Sequence, residues 1–327
     1  MEFERIPTVP TADEVLGKAL RRAAVRMKKK HNVARANEEF VRAVYMAVHD
    51  RLVAVMRSFP EFEDLPPFYY ETAGYLFGMD RLKKALGAVG WAARWSRDKR
   101  NAMVIATRKS GEDPGKRRQA IARLSSVVHQ IDNQLIFLNE VRNVLRLLPH
   151  IEDTFTVVVG GYPNVGKSSF IKSVSTAKPE IARYPFTTKG VIVGIRESGR
   201  ERVQFIDTPG ILDRPSDERN PIELQALSAL NHLANLVIFL LDPSEHCGYP
   251  LTNQLVLLEE VKNTLNAPLI AISNKSDICP GEGYPLMSTE TGEGINEVLT
   301  LIESHAKEYF IVKKEKAREE SRQLYSH

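Results

Sequence analysis

The sequence predicts an all-α helical bundle followed by an α/β P-loop domain with a mostly parallel sheet. Three observations predict it. Apolar residues recur at helical spacing as far as Pro149; beyond it, short apolar runs alternate with helical stretches; and the octapeptide 161–168, GYPNVGKS, stands between such a run and such a stretch. The expected ranges are 1–150 for the bundle, 151–310 for the α/β domain and 311–327 for a charged tail.

In the front half, Thr11 with Glu14 three residues on forms a capping box, and Val15, Leu16, Ala19, Ala23 and Met27 give the following helix an apolar face. A second helix is expected over 37–57, ending at the approach to Pro60; others are expected at 68–77, 80–109 and 116–147. GEDPG at 111–115 reads as the turn before the last of these. A continuous stripe from Ile121 to Leu148 makes that last helix one long member of an antiparallel bundle.

In the back half, strands are expected at 155–159, 190–196, 202–206, 236–241 and 269–273, with helices at about 222–234, 251–265 and 294–310. Residues from Lys313 onward, KKEKAREE, have little apolar periodicity and either extend the last helix outside the core or remain mobile.

The chain of 327 residues has no apolar run long enough to span a membrane and no signal-peptide core, so the expectation is a cytoplasmic protein with no membrane partner. Its two cysteines, Cys247 and Cys279, are too few for a disulfide framework, and His246 beside Cys247 is too little for zinc. Charge is divided unevenly: residues 1–150 hold 27 Lys/Arg against 17 Asp/Glu, or +10, and residues 151–327 hold 18 against 24, or −6. A basic front half suits a polyanion. Within it, 81–123 holds 13 Lys/Arg and 3 Asp/Glu, with Trp91 and Trp95 one helical turn apart; these tryptophans either stack on bases or pack inside the bundle.

Residues 161–168 sit where a strand gives way to a helix, the context a phosphate-binding loop needs. Tyr162, Pro163, Asn164, Val165, Gly166, Lys167, Ser168 and Ser169 are the expected cradle, with backbone donors facing phosphate oxygens, Lys167 supplying a point charge and Ser168 a hydroxyl for magnesium. Asp207 opens DTPG at 207–210 and is the candidate carboxylate for the metal, while the Gly210 amide can sense a terminal phosphate. Thr188, with Thr187 as second choice, is the candidate to complete a magnesium-bound state. NKSD at 274–277 selects the base: the Asp277 carboxylate can accept from both donors on the guanine edge, which adenine does not offer, Lys275 can lay its stem over the base, and Asn274 can tie this loop to the phosphate loop. Ser288 and Thr289 are candidates for a last guanine-contacting turn; the 10 residues between Asp277 and Ser288 leave little room for a helix. Together these elements predict a GTPase that takes GTP to GDP with Mg2+. Ile211, directly after DTPG, cannot orient the attacking water, so slow turnover is expected. Asn164 has an amide oxygen that can help coordinate K+, or it simply suits a tight loop.

GYPNVGKSSF at 161–170, YPFTTKG at 184–190, DTPGILDRP at 207–215 and NKSD at 274–277, together with the basic helical front half, resemble the nucleolar GTP-binding protein family within the Obg–HflX group. The resemblance implies a helical domain joined to a GTPase domain, a role in large ribosomal subunit assembly, and a docking partner in the large-subunit precursor, its rRNA or ribosomal proteins. By motif it gives Lys167 and Ser168 to phosphate and magnesium, Thr188 and Asp207 to the metal-linked switches, and Asp277 to guanine. The chain is similar to the compact archaeal form. The alternatives are a stress- or nucleotide-sensing GTPase and a GTP-binding module that recruits proteins.

Overall fold

The computed structural model describes residues 3–27, 32–182, 190–199, 201–207, 212–213, 215, 227 and 231–324. It divides into two compact units, Met1–Pro66 with Ala73–Arg146, and Pro67–Thr72 with Leu147–His327.

In the first unit, α1 (Ala12–Met27) starts at the expected capping box: the Thr11 amide donates to the Glu14 carboxylate at 3.0 Å and the Glu14 amide to the Thr11 hydroxyl at 3.4 Å. Helix α2 (Val33–Ser58) begins earlier than its apolar stripe because Asn32 caps it, accepting from the Arg35 amide at 2.9 Å. It ends where Phe59 turns extended ahead of Pro60. Helix α3 (Pro67–Phe77) opens on a proline, its residues Pro67–Thr72 belonging to the second unit and the rest to the first, and α4 (Met79–Lys109) and α5 (Pro114–Gln130) flank the GEDPG turn, where Asp113 caps α5 through the Gly115 amide at 2.8 Å. The core is built from Val41, Val44, Val48 and Leu52 of α2, Leu82 and Val89 of α4, and Leu124 and Val128 of α5, all fully buried.

The long helix expected at 116–147 is two helices. Ile131 (φ −104°, ψ 10°) leaves helical geometry, and α6 (Asp132–Leu145) starts anew. The apolar stripe runs through the break because Ile131 is itself buried, and the Asp132 carboxylate that follows accepts from the Ala12 amide at 2.7 Å, across 120 residues of chain. A contact that distant leaves no local signal. The tryptophans divide: Trp95 is half-buried and stacks on Tyr45 with centroids 6.3 Å apart, whereas Trp91 is 43% exposed.

The second unit is a six-stranded sheet in the order β2-β3-β4-β1-β5-β6. Its strands are β1 (Phe155–Gly160), β2 (Glu180–Ala182), β3 (Val191–Ser198), β4 (Glu201–Asp207), β5 (Leu236–Leu241) and β6 (Leu269–Ser273). From β4 through β1 and β5 to β6 all pairings are parallel, and β1 and β5 are buried at every residue. β3 and β4 form an antiparallel hairpin, and β2, which has no counterpart among the expected strands, adds antiparallel to β3. The register sets Val159 beside Asp207 and Leu241 beside Ser273, so β1, β4, β5 and β6 end together and their following loops emerge at one edge.

Helices α7 (Lys167–Val174), α8 (Leu251–Thr264) and α9 (Ile295–Leu324) accompany the sheet. Most of the helix expected at 222–234 lies outside the described residues. No helix forms between 278 and 287, as the short spacing there predicts. Of the two alternatives for the charged tail, the helical one is seen: α9 continues through Leu324, with Lys313 bonded to the Asp153 carbonyl at 2.8 Å and Lys314 to Glu201 at 2.7 Å. No described helix is long and apolar enough to cross a membrane.

Tyr69 anchors the entry to this unit. Its hydroxyl donates to the Pro149 carbonyl at 3.0 Å and accepts from the Ile151 amide at 2.9 Å, while burial pushes its pKa up to about 12. Tyr69→Phe removes the partner of both backbone groups and is expected to lower stability by about 1–3 kcal/mol in urea denaturation; an unchanged midpoint would show that neither bond matters to folding.

Candidate nucleotide-binding site

The loop after β1 is shaped by backbone constraints before any side chain acts. Gly161 (φ 129°) lies so close to β5 that a Cβ would meet the Leu240 carbonyl at 2.5 Å, and Gly166 (φ 104°) so close to the next loop that a Cβ would meet the Asn274 amide nitrogen at 2.2 Å. Between them Asn164, exposed, has φ 63°, a left-handed conformation that asparagine tolerates better than most residues. That geometry fits the tight-loop role, one of the two expected of Asn164. Tyr162 and Val165 are buried, Pro163 is half-buried, and Ser168 and Ser169 lie exposed on the first turn of α7.

Lys167 is buried, and its ammonium is folded back on the loop, donating to the Gly161 carbonyl at 2.7 Å and the Tyr162 carbonyl at 2.9 Å. The Ser168 hydroxyl donates to Asp207 Oδ2 at 2.7 Å, so the register of β1 with β4 brings together the hydroxyl and carboxylate proposed from sequence for one metal. Paired hard oxygen donors fit magnesium. Thr187, Thr188, Gly210 and Ile211 lie outside the described residues.

The loop after β6 docks on the same edge. Asn274, fully buried, donates from Nδ2 to the Val165 carbonyl at 2.8 Å and the Thr289 hydroxyl at 3.2 Å, and its Oδ1 accepts from the Thr289 amide at 3.0 Å. One side chain thus holds the phosphate-loop candidate and the 288–289 turn. That turn is built on Ser288, whose hydroxyl accepts from the amides of Glu290 at 3.2 Å and Thr291 at 3.1 Å. Lys275 takes φ 61°, and Asp277 is exposed two residues further on.

Sequence reasoning missed the loop after β5. Asp242 is fully buried at the strand end; it accepts from the Cys247 amide at 2.7 Å, the Ser244 amide at 3.1 Å and hydroxyl, and Lys275 Nζ at 2.6 Å. Burial pushes its carboxyl pKa up, but the bonds from Lys275, Ser244 and Cys247 outweigh this and hold it below the usual aspartate value. Gln254 of α8 fixes the backbone there, accepting from the Asp242 amide at 2.7 Å and donating to its carbonyl at 3.0 Å. Tyr249, near the loop's end, lies on Tyr162 with centroids 4.3 Å apart. The available signal was a carboxylate ending an apolar strand, LVIFLLD, directly before turn residues.

A glycine-framed loop between β1 and a helix, a hydroxyl paired with the carboxylate ending β4, and an asparagine-linked loop after β6 define a GTPase-like P-loop fold. Residues 3–152 match the family described as NOG1 N-terminal helical domain, and residues 221–277 that described as Nucleolar GTP-binding protein 1 (NOG1). An uncharacterised protein of Methanocaldococcus jannaschii is 40% identical over 291 residues, 86% of this chain and 82% of that protein. Nucleolar GTP-binding protein 1 of Drosophila melanogaster is 35% identical over 330 residues, 91% of this chain and 50% of that protein. A crystal structure from Plasmodium falciparum assigned as nucleolar GTP-binding protein 1 is 29% identical, covers 55% of this chain and 98% of its own, and has a TM-score of 0.45. The chain belongs to the nucleolar GTP-binding protein 1 family. It spans most of the archaeal relative but half of the fly protein.

Gly166→Ala combines a strained backbone with a clash against Asn274. It is expected to lower stability by about 2–4 kcal/mol in urea denaturation. A variant as stable as the parent would mean that the two loops do not meet in this way.

Proposed function

We propose that the chain binds GTP and hydrolyses it slowly to GDP, and that the two nucleotide states act as a switch in assembly of the large ribosomal subunit. The observation that supports this best is the Asn274 bridge, which sets a phosphate-type loop and an NKSD loop at one edge of the sheet.

In this reading Asp277 accepts from the two donors on the guanine edge and Lys275 lies along the base. The loop from Tyr162 to Ser169 presents backbone donors to the phosphates, and Lys167 exchanges its two loop carbonyls for phosphate oxygens as the ligand enters. Ser168 and Asp207 would hold Mg2+, with Thr188 completing the set; the ion, when bound, neutralises charge developing on the phosphates. Gly210 senses the terminal phosphate. The apolar Ile211 is not suited to orient water, which leaves that task to a switch residue, a partner or K+ near Asn164, and turnover is slow. Slow turnover suits a switch: a 100-fold change in partner occupancy needs only about 2.7 kcal/mol of differential binding.

The ribosomal role rests on membership of the family and on the basic bundle, where Trp91 is exposed on a helix rich in Lys and Arg. Phosphate contacts with aromatic stacking suit rRNA of the large-subunit precursor. The expected result is co-sedimentation with large-subunit particles that depends on nucleotide and weakens when charges in 81–123 are reversed; binding only to RNA-free protein complexes would contradict it.

Asp277→Asn is expected to weaken GTP at least tenfold and to favour xanthine nucleotide, because the base edge must then offer a different donor pattern. Calorimetry that finds the preference unchanged would remove Asp277 from base selection. If Asn164 helps hold K+, replacing K+ by Na+ slows turnover in a phosphate-release assay, and equal rates remove the ion from Asn164.

A further inference from the structure

The guanine loop is expected to use the stem of Lys275, yet a four-carbon chain has many poses, and freezing one opposes binding. In this structure the pose is already selected. Lys275 starts from a left-handed backbone (φ 61°), its side chain is 20% exposed, and its ammonium sits 2.6 Å from Asp242 Oδ2. That carboxylate is itself held in place by several hydrogen bonds. The Ser244 and Cys247 amides hold its oxygens, Gln254 grips the backbone on both sides, and the Asn274 amide donates to the Leu241 carbonyl at 2.8 Å, fastening the two loops one residue from each member of the pair.

We propose that Asp242 is a positioning residue for guanine recognition: anchored at the end of β5, it holds Lys275 in its base-binding pose before the nucleotide arrives. The inference rests on the guanine-nucleotide reading above. Asp242 touches no ligand itself and acts through Lys275, lowering the ordering cost of binding. The same loop reaches the phosphate side through Tyr249 on Tyr162, so β5 supplies a support shared by both ends of the site.

A carboxylate that merely shapes its own loop through Ser244 and Cys247 is the competing role, and a double-mutant cycle separates the two. Release of fluorescently labelled GDP is measured by stopped flow from the wild type, Asp242→Asn, Lys275→Met and the double variant, alongside their melting curves. Asp242→Asn is expected to speed release about tenfold, Lys275→Met to do likewise, and the double variant to release no faster than Lys275→Met alone. An equal acceleration by Asp242→Asn in both backgrounds, or none in the wild type, overturns the proposal. If Asp242→Asn does not fold, Asp242→Glu, which keeps the charge but displaces it by a methylene, serves in the same cycle with the same outcomes. A wild type that retains no labelled GDP defeats the guanine reading itself; tight retention with an additive cycle defeats only the role of Asp242.

Discussion

A single buried amide, that of Asn274, joins the parts of the candidate nucleotide site. Its nitrogen reaches the Val165 carbonyl in the loop after β1, and its oxygen receives the Thr289 amide from the turn before α9. The two partners lie 109 and 15 residues away in sequence. An amide is suited to this place because it donates and accepts at once; a carboxylate would meet the Val165 carbonyl without a donor, and an apolar side chain would leave buried backbone groups unsatisfied. The absence of a side chain at Gly166 is the other half of the fit, since that is what lets Asn274 approach.

The bridge is possible because the sheet delivers both loops to one edge. Parallel pairing of β4, β1, β5 and β6 brings four strand ends into line, and the apolar residues that bury β1 and β5 completely hold that alignment rigid. Loops with little regular structure of their own are then positioned by what they leave. Ser168 meets Asp207 because β1 and β4 end in register, and Lys275 meets Asp242 because β5 and β6 do. The buried charged groups Lys167, Asp207 and Asp242 are hydrogen-bonded within the protein, which keeps buried charge from being stranded before a ligand enters.

What could be read from the sequence was whatever chemistry is local. The Thr11–Glu14 capping box, the strand–glycine loop–helix of β1 to α7 and the motif NKSD each state their structure within a few residues, and the structure has them at those positions. What could not be read depends on distant partners. The break at Ile131 is hidden by an apolar residue that continues the stripe, and its counterpart is the Ala12 amide. Strand β2 is three residues with the exposed Ile181 in its middle, and it exists only because β3 offers an edge. Asp242 carries no motif of its own; its importance appears only when the end of β6 places Lys275 against it. Trp91 and Trp95 share one helix and one turn, yet only Trp95 finds a ring, Tyr45, to cover it. Periodicity places a residue on a face and leaves open what that face meets.

The proposed function requires a site that distinguishes one purine from another while holding a triphosphate. Calorimetric titration of the wild-type chain with GTP and with ATP, in magnesium, addresses that directly. The arrangement around Asn274 and Asp277 predicts GTP binding at least about 100-fold tighter than ATP, a gap of about 2.7 kcal/mol. Equal affinities for the two nucleotides would contradict it.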